Sequence, residues 1–147
     1  MDQSILDNNQ RQLSRLMSLA ASITDRELAT PMAAGWTVAA VLAHLAFWDR
    51  RALLLIERWK EGGFNRSPLD DDLVNEVTRY FFLCLPPREA LRLAVESAKA
   101  IDQTLAGLDP DFAAAMLEKG KNVQVNRGSH RGAHLDEIEQ AIRSQAA

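Results

Sequence analysis

The chain has one cysteine, three histidines and no run of lysine or arginine. Each scarcity excludes something. Lone Cys84 cannot form an intrachain disulfide, and it leaves no cysteine set for a zinc finger. Its setting, FFLCL, predicts a small buried hydrophobe, because a reactive thiol needs exposure and electropositive neighbours. A net charge of −3 without a basic run argues against a nucleic-acid partner. The opening MDQSILDNNQ lacks the apolar centre of a signal peptide. The longest nearly apolar stretch, Val38–Trp48, is broken by His44 and too short to span a bilayer. These absences predict a soluble, cytoplasmic protein with no membrane partner. Strand patterns, internal repeats and linkers are missing too. With 147 residues, 47% of them apolar, the expectation is one globular domain over residues 1–147.

What is present is helical periodicity. Ile5/Leu6, Leu13, Leu16/Met17, Ala20 and Ile23 form a stripe at spacings of three, four and seven, predicting a helix over Gln3–Ile23. A loop with Pro31 and Gly35 follows. Thr37 suits an N-cap, with Trp36 and Val41 as a hydrophobic staple; Ala at position 40 rules out a capping box. The second helix then runs to about Glu61, with Val38, Val41/Leu42, Leu45, Trp48, Ala52, Ile56 and Trp59 inward, and Gly62-Gly63 ends it. Asp70-Asp71-Asp72 suits a helix start, where negative charge meets the positive dipole end. That shorter helix, Asp71–Cys84, is expected to turn Val74, Val77, Phe81 and Leu85 to one side. Pro86-Pro87 stops it and opens the next, striped by Leu91, Ala94/Val95, Ala98, Ile101, Leu105 and Leu108. Asp109-Pro110 is a turn, and Asp111–Leu117 reads as one or two helical turns. For the last helix, Asn122 is the expected cap of Val123–Ser144, with Val123, Arg127, His130, His134, Ile138 and Ala141/Ile142 inward. Gly128 and Gly132 cost about 1 kcal/mol each against alanine. They either admit a neighbouring helix or a ligand, or mark a start near Ser129. Four long helices, two short ones and compact connections predict a four-helix bundle, a fold whose core often houses metal sites.

All three histidines sit where one ion could collect them. His130 and His134 lie one turn apart on one helix face, about 6 Å along the axis. His44 belongs to the second helix, in AAVLAHLAFWDRRALLLIERW. Neutral imidazole ligates zinc, nickel, copper and iron, and three nitrogen ligands leave positions open, as in catalytic sites. Spacing alone equally suits a hydrogen-bonded core histidine and an incidental pair. The residues inside the pair, Arg131, Gly132 and Ala133, do not make the metallopeptidase motif H-E-x-x-H. Glu137, three beyond His134, and Asp49 are the candidate general bases or outer partners of the ligands. Asp49 is five residues past His44, about 140° around the helix, which disfavours direct ligation. Both also suit a solvated charge or an interhelix salt bridge. Trp48 either walls a pocket or fills core. Arg127 and Arg131 either clamp a substrate carboxylate or lie on the surface. Arg50-Arg51 and Glu57-Arg58 read as a solvated face.

The segment ATPMAAGWTVAAVLAHLAFWDRRA, followed by DDDLVNEV, LPPREAL and HRGAHLDEI, resembles the DinB/YfiT-like superfamily over about Thr30–Ile142. The Trp-Asp pair after the helix-two histidine is similar to the ClbS/DfsB branch. The stretch EKGKNVQVNRG is more polar and richer in glycine than the family's usual start of the last helix. The resemblance implies an all-α, DinB-like four-helix bundle in up-down-down-up order, often a homodimer. It implies a divalent metal, nickel or zinc, on one helix-two histidine and an H-x-x-x-H pair, which His44, His130 and His134 match. Relatives include thiol-dependent S-transferases, a mycothiol-dependent isomerase and a self-resistance protein that opens a cyclopropane by hydrolysis.

The implied function is a metal-dependent hydrolase or thiol S-transferase acting on a small electrophilic molecule, in stress or toxin defence. A low-molecular-weight thiol is the implied co-substrate. A non-enzymatic small-molecule-binding or dimeric interaction protein, and a metal-independent hydrolase of the ClbS kind, stand as alternatives.

Overall fold

A computed structural model describes residues 1–120 and 124–147. The helices are α1 (Gln3–Ser22), α2 (Asp25–Leu28), α3 (Val38–Gly62), α4 (Asp71–Phe82), α5 (Pro87–Ala106), α6 (Pro110–Lys119) and α7 (Arg127–Ala146). No strand occurs among the described residues; one isolated bridge joins Pro31 to Thr37. None of the described helices is long and apolar enough to cross a membrane.

Side-chain pairings fix the helix directions. Along α1 and α7 the numbers rise together: Gly128 abuts Asn8, Gly132 abuts Gln12, and Arg15 bonds Asp136 at 2.6 Å and Glu139 at 2.8 Å. Those helices are parallel. Against α3 the numbers run oppositely, with Asp49 on Arg127 and His44 on His130. Helix α5 opposes α1: Arg88 near its start bonds the Ile23 carbonyl, while Ile5 and Leu6 pack among Ile101 and Leu105 near its end. The result is the expected up-down-down-up bundle.

The core falls into two apolar clusters. One gathers Leu13, Leu16, Val38, Leu42, Leu45, Ala94, Ala98, Leu135 and Ile138. The other gathers Ala52, Ile56, Trp59, Ile101, Leu105, Met116 and Val125. Next to these clusters along the chain lie five buried polar side chains: Asn9, Asp49, Asp102, Arg127 and Arg131.

Local chemistry sets most boundaries where the periodicity puts them. The Thr37 hydroxyl accepts from the Ala40 amide at 3.1 Å, and Gly63 at φ 78° closes α3. Asp70 caps α4 and Asp109 caps α6. Helix α6 is longer than expected, extending to Lys119.

Four expectations are corrected. Helix α4 ends at Phe82 and turns Val74, Asn75, Thr78 and Phe82 inward, leaving Val77 and Phe81 exposed. The cause is polar: Asn75 accepts from the Trp48 indole at 3.1 Å, which fixes the rotation of the helix. Cys84, just past that helix, is exposed rather than buried. Trp48 is half-buried rather than core. Finally, the expected cap Asn122 and first residue Val123 lie outside the described residues, and α7 starts at Arg127 with Asn126 as its cap.

Helix α1 dictates that start. The Asn9 amide donates to the Val125 carbonyl at 3.1 Å and accepts from the Gly128 amide at 2.7 Å. Asn8 donates to Asn126 at 2.9 Å. Of the two readings of Gly128 and Gly132, the neighbouring-helix one applies. A Cβ on Gly128 would sit 2.6 Å from the Asn8 side chain and 2.7 Å from its carbonyl oxygen. On Gly132 it would meet only the Gln12 side chain, at 3.1 Å. Gly128→Ala is therefore expected to force α1 and α7 apart and cost about 1–3 kcal/mol. Gly132→Ala should be near neutral, because a flexible side chain yields and helix propensity gains about 1 kcal/mol. Thermal midpoints of the two variants check this; equal midpoints would count against the close approach at Gly128.

Candidate metal centre

Helix α3 presents His44 from within its apolar face, and α7 presents His130 and His134 one turn apart. The three ring centroids form a near-equilateral triangle with sides of 5.1, 4.9 and 4.9 Å. One nitrogen from each ring lies within 4.8 Å of the others. The Nε2 atoms of His44 and His130 are 3.1 Å apart. Two nitrogens at zinc–nitrogen bond length in a tetrahedron stand about 3.3 Å apart, so this pair has the spacing of shared ligands. His134 has the outer support such ligands usually have: its Nδ1 is 2.9 Å from Glu137 Oε2, which leaves Nε2 free to ligate. The donor set fits a divalent ion.

Both deeper rings are neutral at pH 7. Burial, with the His134 and Arg127 charges adding to it, lowers the His44 pKa to about 4. Burial again, then Arg127 and the neighbouring imidazoles, lowers His130 to about 3. Lone pairs are thus available without competition from protons.

Arg127 donates from Nη2 to His130 Nδ1 at 3.1 Å. A guanidinium has no acceptor, so in the metal-free protein the His130 proton sits on Nε2 and is donated to His44. His44 then carries its own proton on Nδ1, which is buried without a partner. A divalent ion held by His44, His130 and His134 through Nε2 would place the His130 proton on Nδ1, beside Arg127.

Arg127 and Arg131 are buried, not surface residues, at 5% and 1% exposed. Arg127 Nε donates to Asp49 at 2.7 Å, and Arg131 reaches the same carboxylate at 3.3 Å. Arg131 also grips Asp102 through two bonds of 2.9 and 3.1 Å. Two cations and two anions make the cluster neutral. Asp49 forms an interhelix salt bridge. It faces these arginines and not the histidines, as its angular offset from His44 implies.

Asp102 and Asn9 were not singled out in the sequence. For Asp102 a signal existed: an acid beside Ile101, one turn from Ala98, on an otherwise apolar stripe. Nothing local marked Asn9, whose partners are more than a hundred residues away.

Above the histidines opens a cavity of about 1310 Å³, walled by α3, α4, α7 and the Pro31–Thr37 loop. Trp36 and Trp48 flank His44, with ring centroids at 5.6 and 6.3 Å. Trp36 is held there by a strained loop. Ala34 has φ 54°, a conformation costly for a residue with a Cβ, and the loop is fastened by Met32 N–H to Trp36 C=O at 2.8 Å and by Arg79 to the Ala34 carbonyl. Arg51, expected on a solvated face, is half-buried at the cavity wall and bonds Ser67 at 3.0 Å. Asn75, Gln140 and exposed Glu137 supply further polar lining.

The lowered imidazole pKa values make stability pH-dependent. Unfolded histidines titrate near 6.5, so between that pH and the folded values the unfolded chain binds more protons. In chelator, the stability these rings contribute should be complete above pH 6.5 and fall by up to about 1.4 kcal/mol per pH unit for each ring on acidification. Urea unfolding at pH 7 and 5 checks this. The loss should be smaller in His44→Gln and His130→Gln, and identical losses in all three proteins would refute buried neutral imidazoles.

The family model described as the DinB superfamily matches residues 9–132. The match takes in His44 and His130, and His134 follows it by two residues. No curated protein and no solved structure matches the chain. With most of its length matched and the bundle order in agreement, the chain belongs to the DinB superfamily.

Proposed function

We propose that this chain is a divalent-metal-dependent enzyme acting on a small electrophilic molecule, by hydrolysis or by transfer of a thiol. The supporting observation is three convergent imidazoles at the floor of a cavity large enough for a substrate. A divalent ion held there, nickel or zinc, would supply Lewis acidity and make water or a thiol more acidic. The chain's own residues divide the remaining work. Glu137 orients His134 and, exposed at the cavity edge, can accept a proton from an attacking group. Trp36 and Trp48 offer apolar walls that shed water and face a flat or apolar substrate. Arg127 packs against His130 from the side away from His44, while Asp49 and Asp102 hold the arginine pair in place. In this reading the arginines are positioning residues rather than a carboxylate clamp. Detoxification by a low-molecular-weight thiol, or hydrolysis of the ClbS kind, is the family-inspired context.

One observation favours a metal-independent hydrolase as second reading. The Arg127–His130–His44 hydrogen bonds link a buried cation to two imidazoles with no ion in the chain, ending at His44 Nδ1. The first experiment is elemental analysis of protein purified without chelators, together with thermal midpoints in added nickel or zinc. One ion per chain is expected, with stabilisation of about 2.7 kcal/mol at a hundredfold excess over Kd and loss of both in His130→Ala. A midpoint indifferent to metal would reject the proposal. Turnover that survives strong chelation would select the second reading.

We also infer a homodimer. Leu73, Val77, Tyr80 and Phe81 lie at helical spacing on the outer face of α4 and are 57, 52, 70 and 61% exposed. A contiguous apolar face of this kind marks an interaction surface. Light scattering of the wild type should give a dimer mass, and Val77→Glu with Phe81→Glu should halve it. A monomeric wild type at micromolar concentration would refute the inference.

A further inference from the structure

A second concavity, of about 550 Å³, runs along the outer side of α3 between α4 and α5. It touches the metal-centre cavity only through Arg51 and Ser67, which line both. Its floor is apolar: Phe47, Leu54, Phe82 and Leu93. Leu54 is 48% exposed there, an uncompensated hydrophobe. Arg50 and Arg58 stand one turn before and one turn after Leu54, about 12 Å apart along the helix. Neither has an ion-pair partner among the described residues. The one acid on the rim, Glu96, is already held by Arg92 at 2.6 Å. The rim therefore carries two uncompensated positive charges over an apolar trough.

A further polar group points to an occupant. Ser97 is 7% exposed, lines the groove, and makes no hydrogen bond among the described residues. The residue is buried, but its hydroxyl is not one of the enclosed unpartnered polar atoms, so water or a bound molecule can reach it. Within a helix, serine commonly bonds the carbonyl four residues back, as Ser14 does with Gln10. Ser97 does not, and its hydroxyl opens into the groove.

We propose that this groove binds an aliphatic carboxylate, its chain on the apolar floor and its head group between the arginine rim and the Ser97 hydroxyl. Guanidinium suits a carboxylate because its planar fork matches the two oxygens. The exposed leucine and the flanking phenylalanines supply the apolar area that a polar anion alone would not use. This site is independent of the metal centre and of the reaction proposed there.

The test uses the full chain and dodecanoate below its micellar concentration, titrated by calorimetry, with dodecan-1-ol as the uncharged probe. One dodecanoate per chain is expected, with dodecan-1-ol at least tenfold weaker. Arg50→Gln/Arg58→Gln should weaken dodecanoate at least tenfold. Both residues are exposed, so this variant should fold normally. Leu54→Glu provides a second route, placing a repelling charge on the floor, and should abolish binding. The proposal fails if the alcohol binds as tightly as the acid, or if both variants bind like wild type. It fails equally if binding is lost in Trp48→Ala and kept in Arg50→Gln/Arg58→Gln, since the ligand would then occupy the metal-centre cavity.

Discussion

The arrangement rests on a neutral cluster of four buried charges, Asp49, Asp102, Arg127 and Arg131, bonded across three helices. Burying such groups is costly, and breaking a pair costs more than forming it returns. What the cluster contributes is register. A one-turn slide of α7, about 5.4 Å, would separate both arginines from Asp49 and Asp102 and leave buried charges unpaired. The histidines inherit that register. His130 is three residues from Arg127 and His134 three from Arg131, while His44 is five from Asp49. Wherever the carboxylate of α3 meets the guanidiniums of α7, the imidazoles must meet one turn further along.

The cluster is also joined to the site chemically. Arg127 bonds Asp49 with one nitrogen and His130 with another. The guanidinium thus decides which nitrogen of His130 carries a proton in the metal-free protein. Asn9 ties the same assembly to α1, through the backbone on both sides of the α7 cap. Arg131 adds a bond to the Asn9 carbonyl. Structural and functional roles fall on the same side chains.

Much of this was legible in the sequence, for reasons that also explain what was not. The long helices announced themselves because one buried face imposes a 3.6-residue period, and Thr37 and Asp70 because caps act within one turn. His44, His130 and His134 stood out by rarity, spacing and likeness to a family. The rotation of α4 did not, because its apolar residues ring more than one face and a single polar bond, Asn75 to Trp48, chooses between them. Arg127 and Arg131 looked like surface residues because burial of a charge depends on a partner from another helix. The start of α7 was hidden for the same reason, being set by asparagines on α1.

Helix α4 differs from its neighbours in one respect: none of its residues is fully buried. Local opening costs least where the fewest apolar contacts must be broken. Yet this loosely held helix carries Asn75, the partner of the Trp48 indole, at one wall of the large cavity, while the opposite lip is fastened by backbone bonds around Trp36. Local opening of the bundle is thereby least costly on the α4 side of the cavity, while the tryptophan loop opposite is the braced wall.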